Sequence, residues 1–408
     1  MATGSYFRND SWRNDTKLEE GMKDFVRQGI QRKEMLDFLK RDFPQYAWSI
    51  ATLDRRLRHF NIRYIDTNIS IENVHDAVSS ELRGPGKLLG YRAMHKKIRQ
   101  EHGLNVPRDL VHAVMYDLDP EGLEARAVGA KRRKPKGCFS SKGPNWVHSL
   151  DGHDKLMGYQ NSTFPLAVYG CMDTCSRKLL WLRVWTSNSD PKLIGRWYLE
   201  YLYETRVIAS YLRVDKGTET GDMATMHAFL RRNHDDTTNA CDTVLYGPST
   251  SNQIERWWKE VHERLEKYFK AQLSQLKGEN LYDPHSEKDR MILAFILIPL
   301  LQKELNTFKD SIWNTHRIRQ QKDTELPSGV PNHIYSFPEE YSLEECGWAV
   351  SEDELEKAAS YSGVLAYGAD FLEAPIREEC ERLVPNIDDI HSDDWTDAYL
   401  YVREHYSL

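Results

Sequence analysis

Apolar positions recur at helical spacing between residues 18 and 60, in three short segments broken near Gly29 and at Phe43-Pro44. The third segment starts after Ser49, a predicted N-cap, and its spacing turns Ile50, Leu53 and Leu57 inward and leaves Arg55, Arg56 and Arg58 outward. A second helical pair is expected over residues 87–116, broken at Gly103 and restarted with Pro107 in a first-turn position. Beyond residue 137 the period changes. WVHSLD (146–151), FPLAVYGCMD (164–173) and KLLWLRVW (178–185) read as strands, the last two joined by the TCSR turn. A helix opening at Asp190-Pro191 runs to about Thr205, YLRVD (211–215) is a short buried strand, ETGDMATMHAFLRR a helix and TVLYG a strand. The segment 247–265, GPSTSNQIERWWKEVHERL, begins another helix. The order βββαβαβα predicts an α/β domain: a mixed five-stranded sheet covered by helices.

A chain of 408 residues with 40% apolar composition can bury more than one core, so several domains are expected. The pattern divides it into a helical module (1–68), a second helical module with a basic linker (69–140), the α/β core (141–275), a helical extension (276–338) and an acidic, mainly helical tail (339–408). The longest apolar run, MILAFILIPLL (291–301), is too short to cross a bilayer and reads as a buried helix kinked near Pro299, so no membrane partner is expected. The polar stretch MATGSYFRNDSWRND does not resemble a signal peptide. Six cysteines without a CxxC pair suggest a reduced, intracellular protein, with Cys171 and Cys175 in structural roles beside a turn.

Charge is distributed unevenly. Residues 1–149 hold 27 Lys+Arg against 19 Asp+Glu, whereas residues 339–408 hold 4 against 19, so the net charge of −7 conceals a basic head and an acidic tail. A basic head points to an anionic partner. Each helical pair reads either as a small bundle with a solvated basic face or as a helix-turn-helix whose recognition helix carries Arg55, Arg56 and Arg58; two in tandem favour double-stranded DNA. The run AKRRKPKG, with Lys131, Arg132 and Arg133, fits a nuclear-import signal, a phosphate-tracking linker or a solvated loop.

Acids at the ends of buried strands need a reason, because an ionised carboxylate among apolar neighbours is costly unless paired or bound to metal. Asp151 and Asp215 are both so placed, and if their strands are neighbours the two carboxylates converge at one sheet edge as hard ligands for Mg²⁺ or Mn²⁺. Glu255 is the candidate third ligand. It also fits a loose capping box, Asn252-x-x-Glu255, and favours the helix dipole. Ile254, Trp258, Val261, Leu265 and Tyr268 form the buried stripe of its helix, and Glu255 borders that stripe.

These segments resemble the integrase catalytic core shared by retroviral and retrotransposon integrases and by many insertion-sequence transposases. LDGHDKL around Asp151, VDKGTET around Asp215 and STSNQIERWWKEV around Glu255 carry the resemblance, with support from MDTCSRKLLWL, WNTHRIRQQ (313–321) and GYRAMHKKIRQEHGL. It covers roughly residues 20–335 and is densest over 146–265. The resemblance implies an RNase H-like fold, catalytic and metal-binding roles for Asp151, Asp215 and Glu255 with two Mg²⁺ or Mn²⁺ ions, and metal-dependent DNA end processing followed by strand transfer. It further implies double-stranded DNA ends and target as partners, a homo-oligomer, and action in the nucleus of a eukaryotic host. Three departures stand out: Lys216 replaces the usual Asn after the second Asp, 39 residues separate Asp215 from Glu255, and no His/Cys zinc module precedes the core.

Further DNA contacts are expected at Lys216, Arg256 and Lys259, and at Arg317 and Arg319 beside His316, with helix-surface charge the alternative for Arg256 and Lys259. Trp257 is a candidate for stacking on a base and Trp258 for the core; His153 and Asp154 suit supporting hydrogen bonds or a solvated loop. The tail carries enough aromatic residues to be partly folded, and inhibition of the basic head or partner binding are both open to it. Two function classes follow: an active recombinase, or a catalytically silent DNA-binding regulator on the same fold.

Overall fold

The structure, a computed structural model, describes residues 11–126, 141–158, 162–234, 236–247, 253–320, 325–368 and 370–407. Lys131, Arg132 and Arg133 lie outside the described residues, as does Asn252 of the expected capping box. The chain forms two compact units, Met1–Glu81 with Leu89–Val128, and Leu82–Leu88 with Gly129–Leu408.

The first unit is helical: α1 (Thr16–Arg27), α2 (Arg32–Asp42), α3 (Ile50–His59), α4 (Ile71–Arg83), α5 (Tyr91–Glu101), α6 (Arg108–Leu118) and α7 (Pro120–Ala125). Gly29 and Gly103 take the positive φ that ends a helix without steric cost, which is why the helical pattern breaks there. Pro107 is the N-cap of α6 and precedes its first turn. Arg99 of α5 reaches across to α1, donating to the carbonyls of Val26 at 2.5 Å and Arg27 at 3.5 Å and to that of Tyr64 at 3.0 Å, so it adds donors to the last carbonyls of α1. This places the two helical modules in one unit.

In α3 the cap is as expected, with Ser49 and Thr52 capping reciprocally. The faces are not. Leu53 and Leu57 are buried, but Ile50 is 44% exposed and Arg56 only 4%. The Arg56 guanidinium lies 5.3, 5.2 and 4.1 Å from the rings of Trp12, Tyr46 and Trp48, and burial lowers its pKa, helped by neighbouring Arg55. Its Nε and Nη1 are buried without a hydrogen-bond partner, so the ring faces supply its stabilisation. Arg56 is therefore a core residue; Arg55 and Arg58 remain exposed.

The second unit is built on a five-stranded sheet of β1 (Val147–His153), β2 (Ala167–Asp173), β3 (Leu179–Trp185), β5 (Tyr211–Val214) and β6 (Val244–Tyr246), in the order β3-β2-β1-β5-β6; β4 (Val207–Ile208) lies outside it. β1, β2 and β3 are antiparallel, while β5 and β6 run parallel to β1. This is a mixed sheet of the RNase H-like α/β kind. Two helices, α8 (Pro191–Thr205) and α9 (Gly221–Arg231), share a core with Leu150, Tyr169 and Cys171 on one sheet face. The other face receives α10 (Gln253–Val261), which continues through a π-helical turn (His262–Glu266) into α11 (Lys267–Gly278).

The 21-residue helix α12 (Glu287–Thr307) also packs on β3 and is prolonged by a π-helical turn, Phe308–Trp313. Its length and composition would suffice to cross a membrane, unlike the apolar run alone, but most of that stretch is buried inside the protein. Edge strand β3 is covered by amides: Gln302 bonds Val184 N and Leu182 O, and Asn314 bonds Leu179 N and O. Such pairing removes the exposed ladder on which another chain could add.

The acidic tail folds onto this unit. After α13 (Pro331–Ser336), β7 (Trp348–Ala349) pairs with β4, α14 (Glu352–Ser362) packs on α8 and α9, and α15 (Ala374–Leu383) and α16 (Trp395–His405) pack on α12. Arg403 pairs with buried Asp289 at 3.0 Å.

Replacing Arg56 with Ala should cost roughly 2–3 kcal/mol, because it leaves three aromatic faces around a void, whereas Arg55→Ala should stay within about 0.5 kcal/mol. Hydrogen exchange of the α1–α3 amides in the full chain measures both. Equal protection in the two variants would contradict the core placement.

Candidate functional site

Alternation along β1 sends Leu150 toward α8 and Asp151 to the opposite face, where Asp151 stands across from Gly170 of β2. A Cβ at position 170 would lie 2.6 Å from Leu182, 3.1 Å from Trp258 and 3.3 Å from Ile254. The missing side chain lets α10 approach the sheet closely enough for Trp258 Nε1 to donate to Asp151 Oδ2 at 2.9 Å. β1 continues through His153, so Asp151 is within the strand and does not end it; Asp215 does follow the last residue of β5.

At this end of the sheet Asp151 lies within electrostatic reach of both Asp215 and Glu255. Burial first, and then the charges of Asp215 and Glu255, raise the Asp151 carboxyl to about 7 against the opposing Trp258 and Gly152 N–H donors. Asp215 is also raised by burial, opposed by Arg213, and its Oδ1 is buried without a hydrogen-bond partner. A set of hard oxygen donors with excess negative charge and an unpartnered buried oxygen fits a divalent cation. Among the described residues the acids do not close into a cluster with metal-ligating spacing, and residues 251 and 252, just before α10, lie outside the described residues.

Behind Asp151 lies a buried network. The His153 ring stacks on Trp258 at 4.7 Å, and its Nε2 bonds Glu266 Oε2 at 2.8 Å; His262 Nδ1 bonds the same oxygen at 3.1 Å. Glu266 is 1% exposed, and although burial alone would raise its carboxyl, the two histidines hold it below its ordinary value. The π-helical turn rotates Glu266 toward the sheet, a displacement that regular 3.6-residue spacing cannot supply. A supporting bond for His153 is as the sequence leads one to expect, and Asp154 likewise accepts from Asn188 at 2.6 Å. Glu266 and the polar role of Trp258 escape the sequence reading. His262 and Glu266 at i,i+4 are the one available signal.

Trp257, expected to stack on a base, is buried at 2% exposure against Trp258, Phe308 and Trp313, so that expectation is corrected. Arg256 and Lys259 are exposed on α10 beside Glu255. Lys216 lines a second groove with Arg213 and Tyr246, adjacent to Asp215. Arg317 and Arg319 are exposed after the Phe308–Trp313 turn, while His316 Nδ1 bonds the carbonyl of Trp313 at 2.5 Å. Asp151, Glu255 and Lys259 open onto a cleft of about 1040 Å³.

Comparison with protein-family models matches residues 138–335 to the family described as integrase core domain. No curated protein matches the chain.

The raised Asp151 pKa has a sign. Its carboxyl ionises near 3.8 ordinarily and near 7 when folded, so folding is penalised progressively as pH rises between those values, by up to about 4 kcal/mol above pH 7. Asp151→Asn should therefore raise the melting temperature at pH 8 and change it little at pH 4, and Mn²⁺ should stabilise the parent protein more than the variant. Differential scanning fluorimetry across pH, with and without Mn²⁺, checks this; an equal effect at both pH values would contradict it.

Proposed function

Because residues 138–335 are an integrase core domain, we propose that this chain is a DNA recombinase of the integrase/transposase type, performing metal-dependent DNA end processing and strand transfer at Asp151, Asp215 and Glu255. The observation that carries the proposal is the buried Asp151 carboxyl of β1, raised by burial and further by the charges of Asp215 after β5 and Glu255 on α10, beside an Asp215 oxygen that is buried without a partner.

In the proposed reaction the three carboxylates hold the charge that binds the cations and position them against a phosphodiester. Divalent cations bound there would supply activation of water or a DNA 3′-hydroxyl and stabilisation of the leaving oxygen. Trp258 fixes one Asp151 oxygen by its N–H at the wall of the cleft. Glu266 holds His153 flat against Trp258 and so keeps the indole in place. Lys259 on α10, and Lys216 after Asp215, are placed to meet phosphate oxygens beside the reacting bond. The exposed Arg55 and Arg58 of the helical unit serve as further DNA contacts in this reading, and the protein would act in the nucleus of a eukaryotic host, as an oligomer of itself.

A silent DNA-binding protein on the same fold is the second reading, favoured by the open spacing of the three acids. One substitution separates the two. Glu255→Gln keeps shape and capping ability, so a capping role predicts a stability change well below about 1 kcal/mol and unaltered function. The recombinase reading predicts that Mn²⁺-dependent cleavage and joining of labelled duplex DNA by the full-length protein fall by at least about a hundredfold, with folding and DNA binding intact. Cleavage at the parent rate in the Gln variant would overturn it.

A further inference from the structure

The cleft that receives Asp151 and Glu255 does not end at the carboxylates. It runs along α11, where Lys270, Ser274 and Lys277 line it, and Lys155, following β1, lines it too. Helices α10 and α11 are one continuous rod interrupted only by the π-helical turn. Along this rod Glu255, Lys259, His262, Lys270, Ser274 and Lys277 all border the cleft, at steps of three, four or eight residues. From Glu255 to Lys277 the rod rises roughly 33 Å at about 1.5 Å per residue. That is close to one turn of B-form DNA, ~34–36 Å.

The four lysines are chemically uncommitted. Lys155, Lys259, Lys270 and Lys277 are exposed, and none forms an ion pair with a described residue. By contrast Lys267, on another face of α11, is paired with Glu263, and Arg264 with Glu260. The rod is also held from behind. Trp395 Nε1 donates to Gln272 at 2.6 Å, and Tyr268 donates to the carbonyl of Ser392 at 2.7 Å, so the acidic tail grips α11 away from the lysine face. The tail thereby fixes the cationic wall.

We propose that this groove is a track for the phosphate backbone of duplex DNA, leading away from the reacting phosphodiester, with Lys270 and Lys277 as its distal contacts and Lys155 as a further one. The inference rests on the reading that the core acts on DNA. It adds a surface of fixed direction and length, recognising backbone charge without reading bases: among the described residues the distal walls offer ammonium and hydroxyl groups and no planar amide or guanidinium fork.

The test uses the full-length protein and a fluorescent duplex of about three helical turns, with Ca²⁺ present to prevent turnover, titrated at salt concentrations from about 50 to about 200 mM. Removing one phosphate-binding charge should flatten the log–log salt dependence by about 0.9, so the double variant Lys270→Gln, Lys277→Gln should flatten it by about 1.8. Its affinity deficit relative to the parent should then shrink about twelvefold across that salt range. Lys267→Gln, which removes the same charge from the same helix outside the groove, should leave the slope unchanged. An unchanged slope in the double variant, or the same flattening in Lys267→Gln, would overturn the track. Failure of the parent protein to cut DNA with Mn²⁺, alongside a flattened slope in the double variant, would remove the recombinase reading and leave the track standing.

Discussion

Helix α10 reaches the sheet because position 170 has no side chain. A methyl group there would collide with Leu182 and press on Trp258 and Ile254, and the helix would have to lift. With glycine, Trp258 comes within hydrogen-bond reach of Asp151 and Glu255 is carried to the same end of the sheet. A single close approach thus puts Glu255 within electrostatic reach of Asp151. The raised pKa of Asp151 records its burial first and the charges of Asp215 and Glu255 second.

The π-helical turn after α10 performs a second geometric task. Regular helical geometry through residues 262–266 would give Glu266 a different heading; the extra residue turns it into the protein, where it accepts from two histidines. His153 bridges the turn and the indole that holds Asp151, so the candidate site is supported by a buried chain of hydrogen bonds and stacked rings. The same turn offsets α11 so that Lys270 and Lys277 continue the line begun by Lys259. Backbone irregularity of this sort is concentrated where side chains need positions that ideal periodicity cannot give.

The acidic tail is bonded into the core unit through β7 on β4, Arg403 on Asp289, and Trp395 and Ser392 on α11. Its role in the fold is mechanical before it is electrostatic. Trp395, Tyr399 and Val402 are fully buried, and these apolar anchors offset the burden of nearby negative charge. A chain with −15 in its last segment can still fold compactly because its carboxylates point outward while its aromatic residues pack.

By itself the sequence determined the strands, their mixed sheet, the helix starts at Asp190-Pro191 and Ser49, and the placing of one acid in β1, one just after β5 and one on α10. These depend on local periodicity, capping chemistry and the cost of burying charge, all readable from neighbours in the chain. Tertiary structure alone decided which of three closely spaced arginines is core: Arg56 is buried because Trp12, Tyr46 and Trp48 arrive from elsewhere, and a helical stripe cannot foresee a cationic side chain accepted by ring faces. It also decided that Trp257 is packed and not free to stack, that Trp258 is both core and hydrogen-bond donor, and that Glu266 turns inward. Each of those outcomes depends on packing between segments distant in sequence, or on one inserted helical residue, and neither leaves a period for the sequence to display.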